Sequence, residues 1–140
     1  RNNNYPGEAA RELETLVKQA PTDIANRHQL GDAYQAAGQL DRALKAWEDA
    51  RDVDPGNPAA RNKVGIAYLE RRRYDEAVTE FRAAVEADKA FVESWFFLGE
   101  AYLAKGDRDN ARQAYQGVLD NSRDPNSWQE NARQKLEQLK

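Results

Sequence analysis

Apolar and polar positions along this chain follow a helical step, and one pattern returns three times at a constant long spacing. Leu30, Gly31 and Tyr34 recur as Val64, Gly65 and Tyr68, then as Leu98, Gly99 and Tyr102. Twelve positions after each glycine stands Ala43, Ala77 or Ala111, and four further on a large aromatic: Trp47, Phe81, Tyr115. Asp41, Asp75 and Asp109 keep the same step. Within one period Arg27, Leu30, Gly31 and Tyr34 lie at i, i+3, i+4 and i+7, one face of a helix. Ala43, Trp47 and Ala50 mark a second helix in the same way. Gly38 between them reads as a left-handed stop. Asp41 then falls in or just before the first turn of the second helix, where an acid suits the free N–H groups. Asp54-Pro55-Gly56-Asn57-Pro58 reads as the turn that closes the period.

The period extends backwards. Ala9, Leu13, Leu16 and Pro21 stand one period before Ala43, Trp47, Ala50 and Pro55. A helix is therefore expected at 8–20, the second helix of a partial repeat within 1–23. Three complete repeats follow at 24–57, 58–91 and 92–125. A last helix at about 127–139, in the closing segment 126–140, carries Trp128, Ala132, Leu136 and Leu139 on one stripe with polar residues elsewhere. Such a helix caps the last apolar surface of a stack. The whole of 1–140 thus reads as one array of stacked units, and a fixed period this long argues against a single globular core. The repeated glycines need a packing reason, because Gly inside a helix costs ~1 kcal/mol against Ala. Gly31, Gly65 and Gly99 are expected at close helix crossings, with the small Ala43, Ala77 and Ala111 opposite and the aromatics filling the space beside them.

These residues resemble the tetratricopeptide repeat family, whose pattern runs W-x2-L-G-x2-Y, A-x3-F and P. The third repeat carries it as Trp95, Leu98, Gly99, Tyr102, Ala111 and Tyr115. The other two carry Arg27 and Arg61 in place of the Trp, and Lys89 stands in place of one Pro. Arg72 occupies the position of Gly38 and Gly106, where it either accepts strain or changes the turn. Pro125 is displaced by two positions. The resemblance implies an all-α fold, a right-handed superhelix of about eight helices.

Composition narrows the function. The net charge is −3, with 21 basic and 24 acidic residues interspersed, so no basic stripe argues for nucleic acid. There is no cysteine, which removes disulfides, thiolate metal sites and cysteine nucleophiles. No apolar run approaches the ~18 residues of a membrane span. The chain lacks Met and opens on Arg1-Asn2-Asn3-Asn4, which reads as a cut within a larger protein. No catalytic motif, phosphate loop, metal spacing or cofactor signature is present, and no enzyme activity is expected.

The resemblance also implies a concave groove lined by the first helices of the repeats, at their second, fifth, ninth, twelfth and thirteenth positions. The first repeat places Ala25, His28, Asp32, Gln35 and Ala36 there; the second Ala59, Asn62, Ile66, Leu69 and Glu70; the third Glu93, Phe96, Glu100, Leu103 and Ala104. Ile66 and Phe96, with Leu69 and Leu103, would form an apolar centre. Asp32, Glu70, Glu93 and Glu100 would surround it, with Lys63 and His28 as the only cations nearby. The competing reading packs Leu69 and Leu103 against the neighbouring repeat and leaves His28 a solvated surface residue. Trp95-Phe96-Phe97-Leu98 cannot all share one helix face, so at least one is expected to be exposed or shared between repeats.

The expected partner is a peptide or protein segment with apolar anchors and basic residues. Some members of the family bind chaperone C-terminal carboxylates through a clamp of Lys, Asn, Asn, Lys and Arg. This chain has His28, Asp32, Lys63, Glu93 and Phe97 at those positions, which disfavours that ligand. The alternative function is structural, a spacer or self-association module of a larger protein.

Overall fold

The computed structural model describes residues 5–140. The polar opening at 1–4, which suggested a cut, lies outside the described residues. Within them the regular structure is eight α-helices: α1 (Pro6–Gln19), α2 (Ile24–Ala36), α3 (Leu40–Val53), α4 (Pro58–Glu70), α5 (Tyr74–Ala87), α6 (Val92–Ala104), α7 (Arg108–Asn121) and α8 (Ser127–Gln138). The helices expected at 8–20 and 127–139 are α1 and α8. Two compact bodies divide the chain, Arg1–Pro55 with α1 to α3 and Gly56–Lys140 with α4 to α8.

Local chemistry fixes the helix ends. Asp23 caps α2 by accepting from the backbone of Ala25 at 3.0 Å. Asn57 caps α4, with Pro58 in its first turn. Asp107 caps α7, and its hydrogen bonds from Asn110 hold its carboxyl below the ordinary range. Asn126 and Gln129 form a reciprocal capping box at the start of α8, just past the displaced Pro125. Asp41, Asp75 and Asp109 lie in the first turns of α3, α5 and α7. Between the helices of each pair the chain turns through a left-handed residue: Gly38 at φ 78°, Arg72 at 61° and Gly106 at 87°. Arg72 therefore keeps the turn and accepts its strain, about 1 kcal/mol for an L residue.

The glycines face the aromatics of their own helix pairs. A Cβ on Gly99 would stand 2.6 Å from Cε1 of Tyr115, and one on Gly31 would fall inside the indole of Trp47. Ala43, Ala77 and Ala111 are buried beside these crossings. The close neighbour of each glycine is thus the aromatic ring itself. Gly117 on α7 makes a further crossing of this kind, under the ring of Trp95. The other repeats carry Asp49 and Ala83 at this position, so no recurring glycine marked it and sequence reasoning missed it.

The arginines that replace Trp are built in. Arg27 Nε donates to the carbonyl of Pro21 at 3.0 Å, and Trp95 Nε1 donates to the carbonyl of Lys89, at the same register position, at 2.9 Å. Arg27 also lies 3.8 Å from Asp49 on α3. Arg61 forms a 3.2 Å ion pair with Glu80 on α5, whose carboxylate is buried. Each arginine thus has an acid on the second helix of its own repeat, where the third repeat has the small residues Ala114 and Gly117.

Candidate partner-binding surface

The expected groove residues lie on α2, α4 and α6. On α2, Asp32 and Gln35 are exposed and His28 is half-buried. Asp32 Oδ1 accepts the indole N–H of Trp47 at 3.2 Å, and the His28 carbonyl lies 3.3 Å from the same nitrogen. The indole thus holds the Asp32 carboxylate against α3.

In the C-terminal body the three acids do not behave alike. Glu70 is exposed at the end of α4. Glu93 is half-buried on α6, and its Oε2 accepts from Asn62 Nδ2 at 2.8 Å. Asn62 is itself buried, and its Oδ1 accepts from the fully buried Ser94 Oγ at 2.7 Å. The Glu93 carboxylate, which can only accept, settles which way the Asn62 amide points, and Ser94 donates to the amide's other end, so that Asn62 is held in place against Glu93. Glu100 accepts from the hydroxyl of Tyr115 and pairs with Lys135 of α8 at 3.3 Å. Burial, then this hydrogen bond and the negative charge of Glu100, push the Tyr115 hydroxyl well above its ordinary range.

Two expectations need correction. Asn62 is not an open groove contact, because it lies in the core between α4 and α6. Phe96 is not an exposed anchor: 8% of its surface is accessible. Its ring lies 5.3 Å from that of Trp128 and 5.5 Å from that of Tyr115, centroid to centroid. The apolar stripe of α8 covers it, since Trp128 needs burial as much as Phe96 does. Leu103 packs against the same cluster, as its packing reading holds. Phe97 is the shared residue of the aromatic run, stacked on Phe81 of α5 at 5.9 Å and edge-on to Trp128 at 5.6 Å. Ile66, Leu69 and Lys63 are half-buried on α4.

Sequence reasoning missed Ser94 and Lys135. Ser94 shares its repeat position with Ala60, which is fully buried, so a small buried residue was legible there. Its hydrogen bond was not. Lys135 lies on the polar side of α8, with nothing along the chain to mark Glu100 as its partner. Among the described residues no group of His, Asp and Glu is placed to hold a metal ion, and no helix is long and apolar enough to cross a membrane.

Paired helices with a glycine–aromatic crossing in each pair define a helical-repeat protein. The family model described as Tetratricopeptide repeat matches residues 28–90 and 63–127, together most of the chain, and the chain belongs to that family. Its fold is the all-α solenoid of the family, generally a scaffold for protein–protein interaction. Among solved structures it is similar to MamA 41-end from Desulfovibrio magneticus RS-1, with a TM-score of 0.79 and 23% identity over 97% of this chain and 75% of that one. The first TPR of Spaghetti (RPAP3) bound to HSP90 peptide SRMEEVD gives 0.72 and 22% over 83% of this chain and 89% of that one. The N-terminal domain of stress-induced protein-1 from C. elegans gives 0.72 and 24% over 86% and 97%. The chain spans 66% and 64% of the length of two further MamA crystal structures. Each likeness is one of fold. No curated protein matches the chain.

Proposed function

We propose that this chain is an interaction module, without catalysis of its own, that holds a peptide or protein segment along α4 and α6, the first helices of its repeats 58–91 and 92–125. The ligand carries apolar anchors and Lys or Arg. Glu93 is the observation that carries this reading. Its carboxylate is oriented by Asn62 and Ser94, so little ordering remains when a cation pairs with it. Ile66 and Leu69 offer apolar area on the adjoining α4. Glu70 adds negative charge at the end of the same helix. On α2, in the N-terminal body, Asp32 and Gln35 are exposed polar positions of the first repeat.

The RPAP3 structure holds an acidic HSP90 peptide. At two of the positions where the family resemblance puts a carboxylate clamp, this chain carries Glu93 and Phe97, a like charge and a ring already stacked on Phe81. That supports a basic ligand instead. The self-association reading draws on α1, where Leu16 is 43% exposed beside an exposed Ala9. Both residues sit at register positions that are buried as Ala43 and Ala50 in the first complete repeat.

A peptide array tests the proposal. Peptides pairing Leu or Phe with Lys or Arg should bind best, and Glu93→Lys should turn the preference towards acidic sequences. Acidic C-termini winning on the unaltered chain would overturn the reading. Mass that rises with concentration, with no peptide bound, would transfer the function to self-association.

A further inference from the structure

An open cavity of about 330 Å3 lies between α5 and α7, floored by Trp95, Leu98 and Tyr102 of α6. Arg82 and Glu86 stand on its α5 wall and Gln113 on its α7 wall. Its walls are second helices, and the α6 residues of its floor are other than Glu93, Phe96, Glu100 and Leu103 of the first-helix surface assigned above.

The N-terminal body has a smaller cavity of about 230 Å3 at the same register, lined by Leu30, Tyr34 and Ala46, and there the tyrosine already has its acceptor. Tyr34 stands two periods before Tyr102, and Glu14 stands two periods before Arg82. The Tyr34 hydroxyl donates to the carboxylate of Glu14, reaching from α2 to α1. Repeat 24–57 also has an acid, Glu48, at this register position. In repeat 58–91 Arg82 replaces it. No carboxylate of the described residues reaches the Tyr102 hydroxyl, and Arg82 forms no ion pair among them. The cavity therefore offers two donors, a hydroxyl and a guanidinium, where the equivalent tyrosine of the first repeat has an acceptor.

We propose that this cavity is a second binding site, which takes a carboxylate joined to an apolar group, delivered as an acidic side chain beside an aromatic or aliphatic residue of a partner protein. The carboxylate accepts from Tyr102 and Arg82 as Glu14 accepts from Tyr34. The neighbouring apolar side chain covers Trp95 and Leu98. The source is a protein segment because of the cavity's shape. It is at the small end for small-molecule sites, and exposed Arg82, Glu86 and Gln113 form its walls, so a free acid would stay largely wet. A segment resting on α5 and α7 buries its remaining surface there. Glu86 opposes the ligand's charge one helical turn from Arg82, so its removal strengthens binding.

The three tryptophans supply the readout. Trp95 lines the cavity, Trp47 lies in α3, and Trp128 covers Phe96. The 15N-labelled chain is titrated with a blocked tripeptide of phenylalanine, glutamate and leucine, with its glutamine counterpart, and with 3-phenylpropionate. The glutamate peptide should shift the Trp95 indole resonance and leave Trp47 and Trp128 in place. The glutamine peptide should bind about tenfold more weakly, as should the glutamate peptide to Arg82→Gln. Glu86→Gln should bind the glutamate peptide more tightly. Both variants change exposed residues, and an unchanged circular dichroism spectrum confirms their fold. A still Trp95 resonance, equal shifts with the glutamine peptide, or indifference to Arg82→Gln would overturn the site. If 3-phenylpropionate binds as tightly as the peptide, the site takes a free acid and the protein partner is wrong.

Discussion

A methyl group placed on Gly65 would lie 2.7 Å from Cε1 of Phe81, closer than a carbon–carbon contact allows. Phe81 is fully buried, so its ring has nowhere to withdraw. Gly65→Ala gains ~1 kcal/mol of helix propensity. Overpacking at such a crossing costs ~1–3 kcal/mol, so the net effect is a loss. Thermal unfolding followed by circular dichroism should show a lower midpoint for Gly65→Ala and a broadly disrupted C-terminal body for Gly65→Leu. Phe81→Leu in the Gly65→Ala background should recover part of the loss. A midpoint that stays put would remove the crossing from the account.

Arg61 and Glu80 test the replaced Trp. Removing the guanidinium takes a cation away from a buried carboxylate, which costs about 3–5 kcal/mol. Arg61→Met should therefore destabilise strongly. Changing both residues, Arg61→Met with Glu80→Ala, should be much milder, because the buried carboxylate goes with its cation. Urea midpoints of the two variants measure the difference.

The protons of Tyr115 and Tyr34 are both held in the folded chain, by burial first and by Glu100 or Glu14 second. Both folded pKa values lie above the ordinary 10.0. Below about pH 10 the hydroxyls are neutral in folded and unfolded chains alike, and their contribution is fully present. Above that the unfolded chain ionises first, and stability falls as pH rises towards the folded pKa. The urea midpoint should decline above about pH 10, and Tyr34→Phe with Tyr115→Phe should flatten the decline. An unaltered alkaline slope in the double variant would contradict it.

Phe96→Ala is a stability probe rather than a binding probe. Loss of a ring enclosed by Trp128, Tyr115 and Phe97 should cost ~3–5 kcal/mol. Ile66→Ala is the cleaner test of apolar burial by a ligand and should weaken peptide binding at every salt concentration. Glu93→Gln should weaken it mainly at low salt, where an unscreened charge counts most. Binding assays at two ionic strengths separate the two effects.

The sequence by itself determined the helices, their pairing and the family. Those rest on local periodicity and on a register repeated three times, and Gly31, Gly65 and Gly99 with Trp47, Phe81 and Tyr115 state it directly. At Arg72 the sequence left open whether the residue accepts strain or changes the turn, and its φ of 61° shows that the left-handed turn is kept. Only tertiary structure decided which residues are free to act. Phe96 was read as groove, yet α8 buries it, and Glu100 was read as an open acid, yet Tyr115 and Lys135 satisfy it. Arg27 and Arg61 looked like departures until Asp49 and Glu80 appeared beside them. Periodicity places a residue on a helix face, because the face depends only on the residue's own position. What covers that face depends on side chains of other helices, distant along the chain, as for Arg61 with Glu80 and Glu100 with Lys135, and no local pattern encodes those pairings.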